Sequence, residues 1–287
     1  MEKMVTMDFT ILKEQFENKK VFVTGHTGFK GSWLLLILKE LGAKVVGYAL
    51  APEIEADLFN QIDGAQYCEK SIIANILDAE QLKKEISAFQ PDYIFHLAAQ
   101  ALVRKSYENP IETYLVNTIG TANVLEAMRL LPNACVGIMV TTDKVYENPE
   151  RGTAFEESDK IGGYDPYSAS KATCEIVIDS YRNSFFNAQA FNTHKKSIAS
   201  VRAGNVIGGG DFSKDRIIPD IVRSIQNKKP ISLRNPDATR PWQHVLEPLN
   251  GYIKLAYYLS NKKMKKNIIP NWNFGPDTEN CKNVKFI

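Results

Sequence analysis

Cysteine is scarce in this 287-residue chain. The four thiols, Cys68, Cys135, Cys174 and Cys281, lie far apart and form no Cys-x-x-Cys pair. That excludes a disulfide framework, and free buried thiols in a reducing compartment are expected. Histidine is as sparse, and no spacing among the histidines and cysteines suits a metal, so no metal is expected. No run of about 18 apolar residues occurs, which excludes a membrane-spanning helix. Residues 1–18 carry acids and lack a long apolar centre, so no secretory leader is expected and the cytoplasm follows. A dominant charge is missing too: 35 basic and 33 acidic residues leave a net +2, giving no ground for a nucleic-acid or membrane partner. The one basic cluster, Lys262-Lys263 with Lys265-Lys266, reads as a solvated helix end or loop.

What is present is ordinary globular composition, 44% hydrophobic and 24% charged, enough for a sizeable core. The most informative stretch is Val21-Phe22-Val23-Thr24-Gly25-His26-Thr27-Gly28-Phe29-Lys30-Gly31. A short apolar strand runs into three glycines at three-residue spacing, and a helix follows to about Gly42. Gly25 permits a tight turn, Gly28 lets backbone N–H groups approach a diphosphate, and Gly31 lets helix and strand pack closely. The helix N-terminus then faces the phosphates. Strand, glycine turn and helix together predict a dinucleotide site.

Strands are predicted at 44–50, 71–76, 93–97, 136–141 and 199–202, and helices at 78–89, 110–131, 167–186 and 216–227. This alternation, without internal repeats, predicts an α/β fold, a Rossmann-type doubly wound parallel sheet. The texture changes after Ala203. Residues 1–203 are expected to form the nucleotide-binding domain, and 204–287 a smaller substrate-binding region with some crossing back to the sheet. The strand end Tyr48-Ala49-Leu50 offers no acid for a ribose and no arginine for a 2′-phosphate, so these residues leave NAD and NADP open. Small residues after the fourth strand, Leu97-Ala98-Ala99-Gln100, leave room for a ligand, and His96 reads as a packed histidine.

Tyr167 and Lys171 form Tyr-x-x-x-Lys. On a helix they share a face, so the ammonium lowers the phenol's pKa and the tyrosine can act as a general base on a hydroxyl. With the glycine turn in the same chain, the pair points to hydride transfer at a sugar carbon.

Four motifs carry a family resemblance. They are Val23 to Trp33, Thr142-Asp143-Lys144-Val145-Tyr146, Arg202 to Asp211, and Arg240-Pro241-Trp242-Gln243-His244-Val245. Over roughly residues 16–276 the chain resembles extended short-chain dehydrogenase/reductases that act on nucleotide sugars, and among them the 4,6-dehydratases of cytidine diphosphate sugars. The resemblance implies NAD as cofactor and CDP-glucose as substrate. It gives Tyr167 the 4-hydroxyl proton, Lys171 the nicotinamide ribose, Thr142 the 4-oxygen, Asp143 the acid at the 6-hydroxyl and Lys144 the base at C5. It places Gly25, His26, Thr27, Gly28, Phe29, Lys30, Gly31, Asn75, Ile76, Leu97, Ala98, Ala99, Gln100 and Asn117 along the cofactor. Asn205, Arg216 and Arg240 fall to the sugar nucleotide, with Trp242 near the base or in the core. Asn117 orients the catalytic helix or a water, or packs helices. Asn75 stands where the family usually has Asp.

Relatives continue several tens of residues beyond Pro276, so a chain ending at Ile287 is expected to leave the substrate region short. Three functions are carried forward: the dehydratase, a nucleotide-sugar 4-epimerase or dehydrogenase, and an NAD-binding protein without turnover. The helices at 110–131 and 167–186 resemble those that pair in family homodimers.

Overall fold

The computed structural model describes residues 8–148, 152–231, 233, 235–261 and 269–287. The basic cluster at 262–266 lies outside the described residues. Helix α1 (Phe9–Phe16), capped by Asp8, leads into β1 (Lys20–Thr24), α2 (Phe29–Glu40) and β2 (Lys44–Ala49). Next come α3 (Leu58–Gln61), β3 (Lys70–Ile73), α4 (Ala79–Phe89), β4 (Tyr93–His96), α5 (Val103–Glu108), α6 (Pro110–Tyr114), α7 (Gly120–Arg129) and β5 (Cys135–Val140). The chain continues through α8 (Pro166–Ser184), α9 (Phe191–His194), β6 (Lys196–Ala203), β7 (Val206–Ile207), α10 (Ile217–Gln226), β8 (Thr239–Arg240) and β9 (Gln243–His244). It ends with α11 (Leu246–Ser260), β10 (Asn271–Phe274) and β11 (Lys282–Asn283).

Seven strands form one parallel sheet in the order β10-β6-β5-β4-β1-β2-β3. The chain winds outward from β1 in one direction, then from β4 in the other. The switch point between β1 and β4 opens a crevice at the strands' carboxyl ends, where open α/β sheets bind ligands. Alternation along β1 builds both layers. Val21 and Val23 face the core under α1, α2 and α11, while Phe22 faces the core under α4, α7 and α8. β10 lies at the sheet edge against β6, and α11 packs below it, so the segment beyond Ala203 also supplies a strand and a helix to this layer.

Several expectations shift. β3 ends at Ile73, short of Ile76, because the Asn75 side chain accepts the Leu77 N–H at 2.9 Å and turns the chain. β6 begins at Lys196, three residues earlier than predicted, because its buried amine is satisfied by the carbonyls of Leu131, Asn133 and His194. The helix predicted over 110–131 is α6 and α7 joined by a π turn at Leu115–Ile119, and α5 precedes it unpredicted. Of the four thiols, Cys135 and Cys174 are buried, whereas Cys68 and Cys281 are only partly so.

Two buried histidines give the fold a pH dependence. Burial, opposed weakly by a backbone bond to Tyr48, pushes His26 down to about 4. Burial and then the charge of Lys171 push His96 down to about 3. Both are neutral when folded and protonate near 6.5 when unfolded, so their stabilisation is complete above pH 6.5 and lost as the pH falls below it. Between pH 6 and 5, where ordinary carboxylates remain ionised, the expected loss is on the order of 2 kcal/mol. Calorimetric unfolding across this window checks it; a flat melting temperature refutes it.

Candidate active site

The tight turn and the close packing expected of Gly25 and Gly31 are both present. Gly25 has φ +75°, and a Cβ there would lie 2.6 Å from the Ala98 nitrogen, so β1 and the end of β4 meet only through glycine. A Cβ on Gly31 would lie 2.0 Å from the Gly25 carbonyl oxygen, which fixes how closely α2 seats on the turn. Gly28 is different. It is exposed, and a Cβ there would meet no protein atom closer than 3.4 Å. It also begins α2 without a side-chain cap, so the first N–H groups of the helix are left for an anion. An open backbone surface over an uncapped helix start fits a dinucleotide diphosphate.

The side chains of the turn have other tasks. The His26 ring packs against Gly47, and its Nε2 meets Ser71 Oγ at 2.8 Å; Thr27 donates to the Leu50 carbonyl at 2.8 Å. These two residues offer backbone toward a ligand. Phe29 and Trp33 reach the other way. Phe29 comes within 3.1 Å of a Cβ built on Gly208, and Trp33 donates to the Gly209 carbonyl at 3.0 Å. Further along the crevice, Leu97, Ala98 and Ala99 are partly exposed after β4. Ile76 is buried against Gly120, and the Asn75 carbonyl accepts the Tyr48 hydroxyl.

Helix α8, which carries Tyr167 and Lys171, is firmly placed. Asp165 caps α8 through Oδ1 to the Tyr167 and Ser168 N–H groups, both at 3.0 Å, and Ser168 returns a bond to the Asp165 N–H. The Tyr167 N–H also meets Ser106 Oγ of α5 at 3.1 Å. One turn on, the buried Lys171 amine donates to the Val140 carbonyl at 3.1 Å, pinning the ammonium to the end of β5. Asn117 sits in the π turn with every side-chain polar atom used. Its Oδ1 accepts the Gln100 N–H, and its Nδ2 donates to the Gln100 carbonyl and to Ser170 Oγ. It therefore joins the loop after β4 to α8, and the π turn is what aims it there.

At the end of β5, the Thr142 hydroxyl donates to Asp143 Oδ1 at 3.1 Å, and the Lys144 amine pairs with the same oxygen at 3.3 Å. The side chains of Lys144 and Asp143 remain 40% and 32% exposed, open to a ligand. Asp143 Oδ2 faces Gly204 at the end of β6, where a Cβ would sit 3.1 Å away. Behind this edge lies a buried ion pair that sequence reading did not identify. Glu175 meets Arg202 at 3.0 and 2.8 Å, with both side chains 1% exposed. Glu175 also accepts from Thr141 and, at 2.7 Å, from Ser200, while Arg202 donates to the Tyr146 hydroxyl at 2.7 Å. Burial alone would raise the Glu175 carboxyl, yet Arg202 holds it below the usual carboxylate range. A charged residue inside Val201-Arg202-Ala203 and an acid four residues after Lys171 were the available signals.

The residues expected around the sugar nucleotide follow the end of β6. The Asn205 carbonyl accepts the Gln243 N–H, and its Oδ1 is buried without a protein partner. The Trp242 Nε1 is likewise buried without a partner. Arg216 bonds Asp211 at 3.2 Å, and Arg240 bonds the Thr239 carbonyl at 2.9 Å. Among the described residues, no cluster of three or more His, Cys, Asp or Glu could hold a metal, and no helix is long and apolar enough to cross a membrane.

The family described as GDP-mannose 4,6 dehydratase matches residues 22–269. A CDP-glucose 4,6-dehydratase from Salmonella typhimurium is 50% identical over 275 residues, spanning 96% of this chain and 76% of its own. Among solved structures, an epimerase from Methanothermobacter thermautotrophicus superposes with a TM-score of 0.78 at 25% identity, over 98% of this chain and 78% of its own. A dTDP-glucose 4,6-dehydratase from Streptomyces venezuelae, solved with NAD, gives 0.72 at 22% identity over 90% of this chain and 76% of its own.

Proposed function

We propose a reaction from one premise: the chain belongs to the GDP-mannose 4,6 dehydratase family. It converts CDP-glucose to CDP-4-dehydro-6-deoxyglucose and water, as an NAD-dependent 4,6-dehydratase. The glycine turn and the ends of β1 and β4 would hold NAD, which would supply a hydride acceptor for C4 and a hydride donor for C6. Tyr167 takes the 4-hydroxyl proton, with the Lys171 charge stabilising the phenolate. Thr142 donates to the developing 4-carbonyl. The sugar nucleotide lies between the strand ends and residues 204–287, with Asn205, Arg216 and Arg240 toward its diphosphate.

The observation that carries this reading is the Asp143–Lys144 contact at 3.3 Å. Loss of water across C5 and C6 needs a neutral amine to take the C5 proton and a protonated acid for the 6-hydroxyl. Passing one proton from Lys144 to Asp143 produces both species at once. The C5 proton then goes to Lys144, the Asp143 proton leaves with the 6-hydroxyl as water, and the ion pair is restored. Lys144 gives its proton back to C5 as C6 receives hydride, and the proton that Tyr167 took from the 4-hydroxyl is then released and replaces it, so both residues return to their starting states. A 4-epimerase needs no such couple. Incubation with NAD⁺ and CDP-glucose, followed by mass spectrometry, is expected to show loss of one water with no net NADH. An isomerised sugar of unchanged mass refutes the dehydratase in favour of the epimerase, and bound NAD with untouched sugar refutes turnover.

The enzyme acts in the cytoplasm as a homodimer. Tyr107, Ile111, Leu115 and Ile119 recur at four-residue spacing along α5, α6 and the π turn. Ile111 is 72% exposed and Ile176 on α8 63% exposed. An apolar stripe of this kind on a folded surface marks an interface. Light scattering is expected to give a dimer, and Ile111→Glu with Ile176→Glu a monomer; a monomeric parent chain refutes it.

A further inference from the structure

Lys30 stands apart from every other lysine near the site. It lies in the first turn of α2, half-buried, with neither a hydrogen bond nor an ion pair to any described residue. Its amine sits 6.0 Å from the centre of the Tyr252 ring on α11. Its charged neighbours are Arg216, Lys144 and Lys171, with Asp143 the one carboxylate among them. Lys171 is held by a carbonyl, Lys144 by Asp143 and Arg216 by Asp211. Lys30 has no such partner.

A second observation points to the same place. Tyr252 is fully buried, and its hydroxyl has no hydrogen-bond partner. An unpaired hydroxyl in a core carries a desolvation cost. Its ring is the one beside which the Lys30 amine stands, so the two unpaired groups share one neighbourhood. An unpartnered amine, an unpartnered buried hydroxyl and a surplus of positive charge therefore meet beside an uncapped helix start.

We infer that the Lys30 side chain is the counter-charge for a diphosphate ester bound at the glycine turn, a role beyond the backbone contacts of the turn itself. The inference rests on the reading of the chain as an NAD-dependent enzyme acting on CDP-glucose. Both ligands carry a diphosphate, and either could deliver it to this amine. Burial, and then the charge of Arg216, pushes the free Lys30 amine down to about 7. A doubly charged diphosphate opposes both effects, because it favours the ammonium. Binding therefore takes up a proton above pH 7, and takes up little below it.

Isothermal titration in two buffers of different protonation enthalpy tests this, with NAD⁺ added to the full chain and CDP-glucose added to the NAD-saturated chain. At pH 8 one of the two ligands is expected to bind with uptake of about one proton, and at pH 6 with close to none. The ligand that shows uptake is the one whose diphosphate meets Lys30. Lys30→Met is expected to weaken that ligand roughly 10- to 100-fold and to abolish the uptake. Lys30→Arg, permanently charged, restores affinity without uptake, an outcome that a merely structural lysine does not produce; if the Met variant does not fold, the Arg variant decides alone. Binding by the parent chain with no proton exchange at pH 8, or unchanged affinity and uptake in Lys30→Met, overturns the inference. Failure of the parent chain to bind either ligand overturns the functional reading instead.

Discussion

Tyr167→Phe is expected to cut turnover of CDP-glucose by roughly 10²- to 10⁴-fold while leaving NAD bound. The substitution removes one oxygen and little else. The Tyr167 backbone stays anchored to Asp165 and Ser106, and the Lys171 amine stays pinned to the Val140 carbonyl. The ammonium therefore remains in place with no phenolate to stabilise. The first oxidation should fail, so mixing the variant with substrate should give no transient absorbance of reduced nicotinamide. Equal transients in the variant and the parent would remove Tyr167 from the base's role. A loss of NAD would mean instead that the ring itself shapes the cofactor site.

The second large effect is on stability. Glu175→Ala leaves Arg202 as a buried cation without its counter-ion, which costs about 3–5 kcal/mol. In a domain of this size that lowers the melting temperature by roughly 10 °C. Arg202 keeps its bonds to the Tyr146 hydroxyl and the Glu157 carbonyl, yet neither carries a negative charge. Replacing both partners, Glu175→Leu with Arg202→Met, removes the stranded charge and should recover much of the loss. A single variant melting within a degree of the parent would show that the pair adds little. A double variant no better than the single would show that shape, rather than charge, is what this layer needs. Activity is a separate readout, because Glu175 grips Thr141 directly before the Thr142-Asp143-Lys144 edge.

What the sequence disclosed was local. Three glycines after an apolar strand state a backbone requirement that needs no partner, and the Gly25 and Gly31 contacts obey it. Tyr167 and Lys171 share a helix, so their spacing already implies one face. Features set by distant partners were hidden. Nothing between Leu115 and Ile119 announces a π turn, and the partners that Asn117 meets there, Gln100 and Ser170, are distant in the chain. Lys196 looks like a strand boundary until three carbonyls from elsewhere close around its amine. Lys30 was legible as part of a glycine turn, but its charged surroundings depend on Asp143, Lys144, Lys171 and Arg216 arriving from three other segments.

The position of β10 has a consequence for synthesis. Its partner β6 is complete at Ala203, but β10 begins only at Asn271. At about 5–20 residues per second, a ribosome needs roughly 3–14 seconds to cross the intervening stretch of about seventy residues. Throughout that interval the outer edge of β6 presents unpaired N–H and C=O groups, a template for any other strand. The Tyr146 hydroxyl, which later meets Asn273 at 2.7 Å, waits as well. The nascent protein is thus most prone to aggregate after strands β1 to β6 have formed and before its last parallel strand docks. Slowing translation between codons 204 and 270 should lengthen that exposure and lower the soluble yield, and a chaperone that shields sheet edges should restore it.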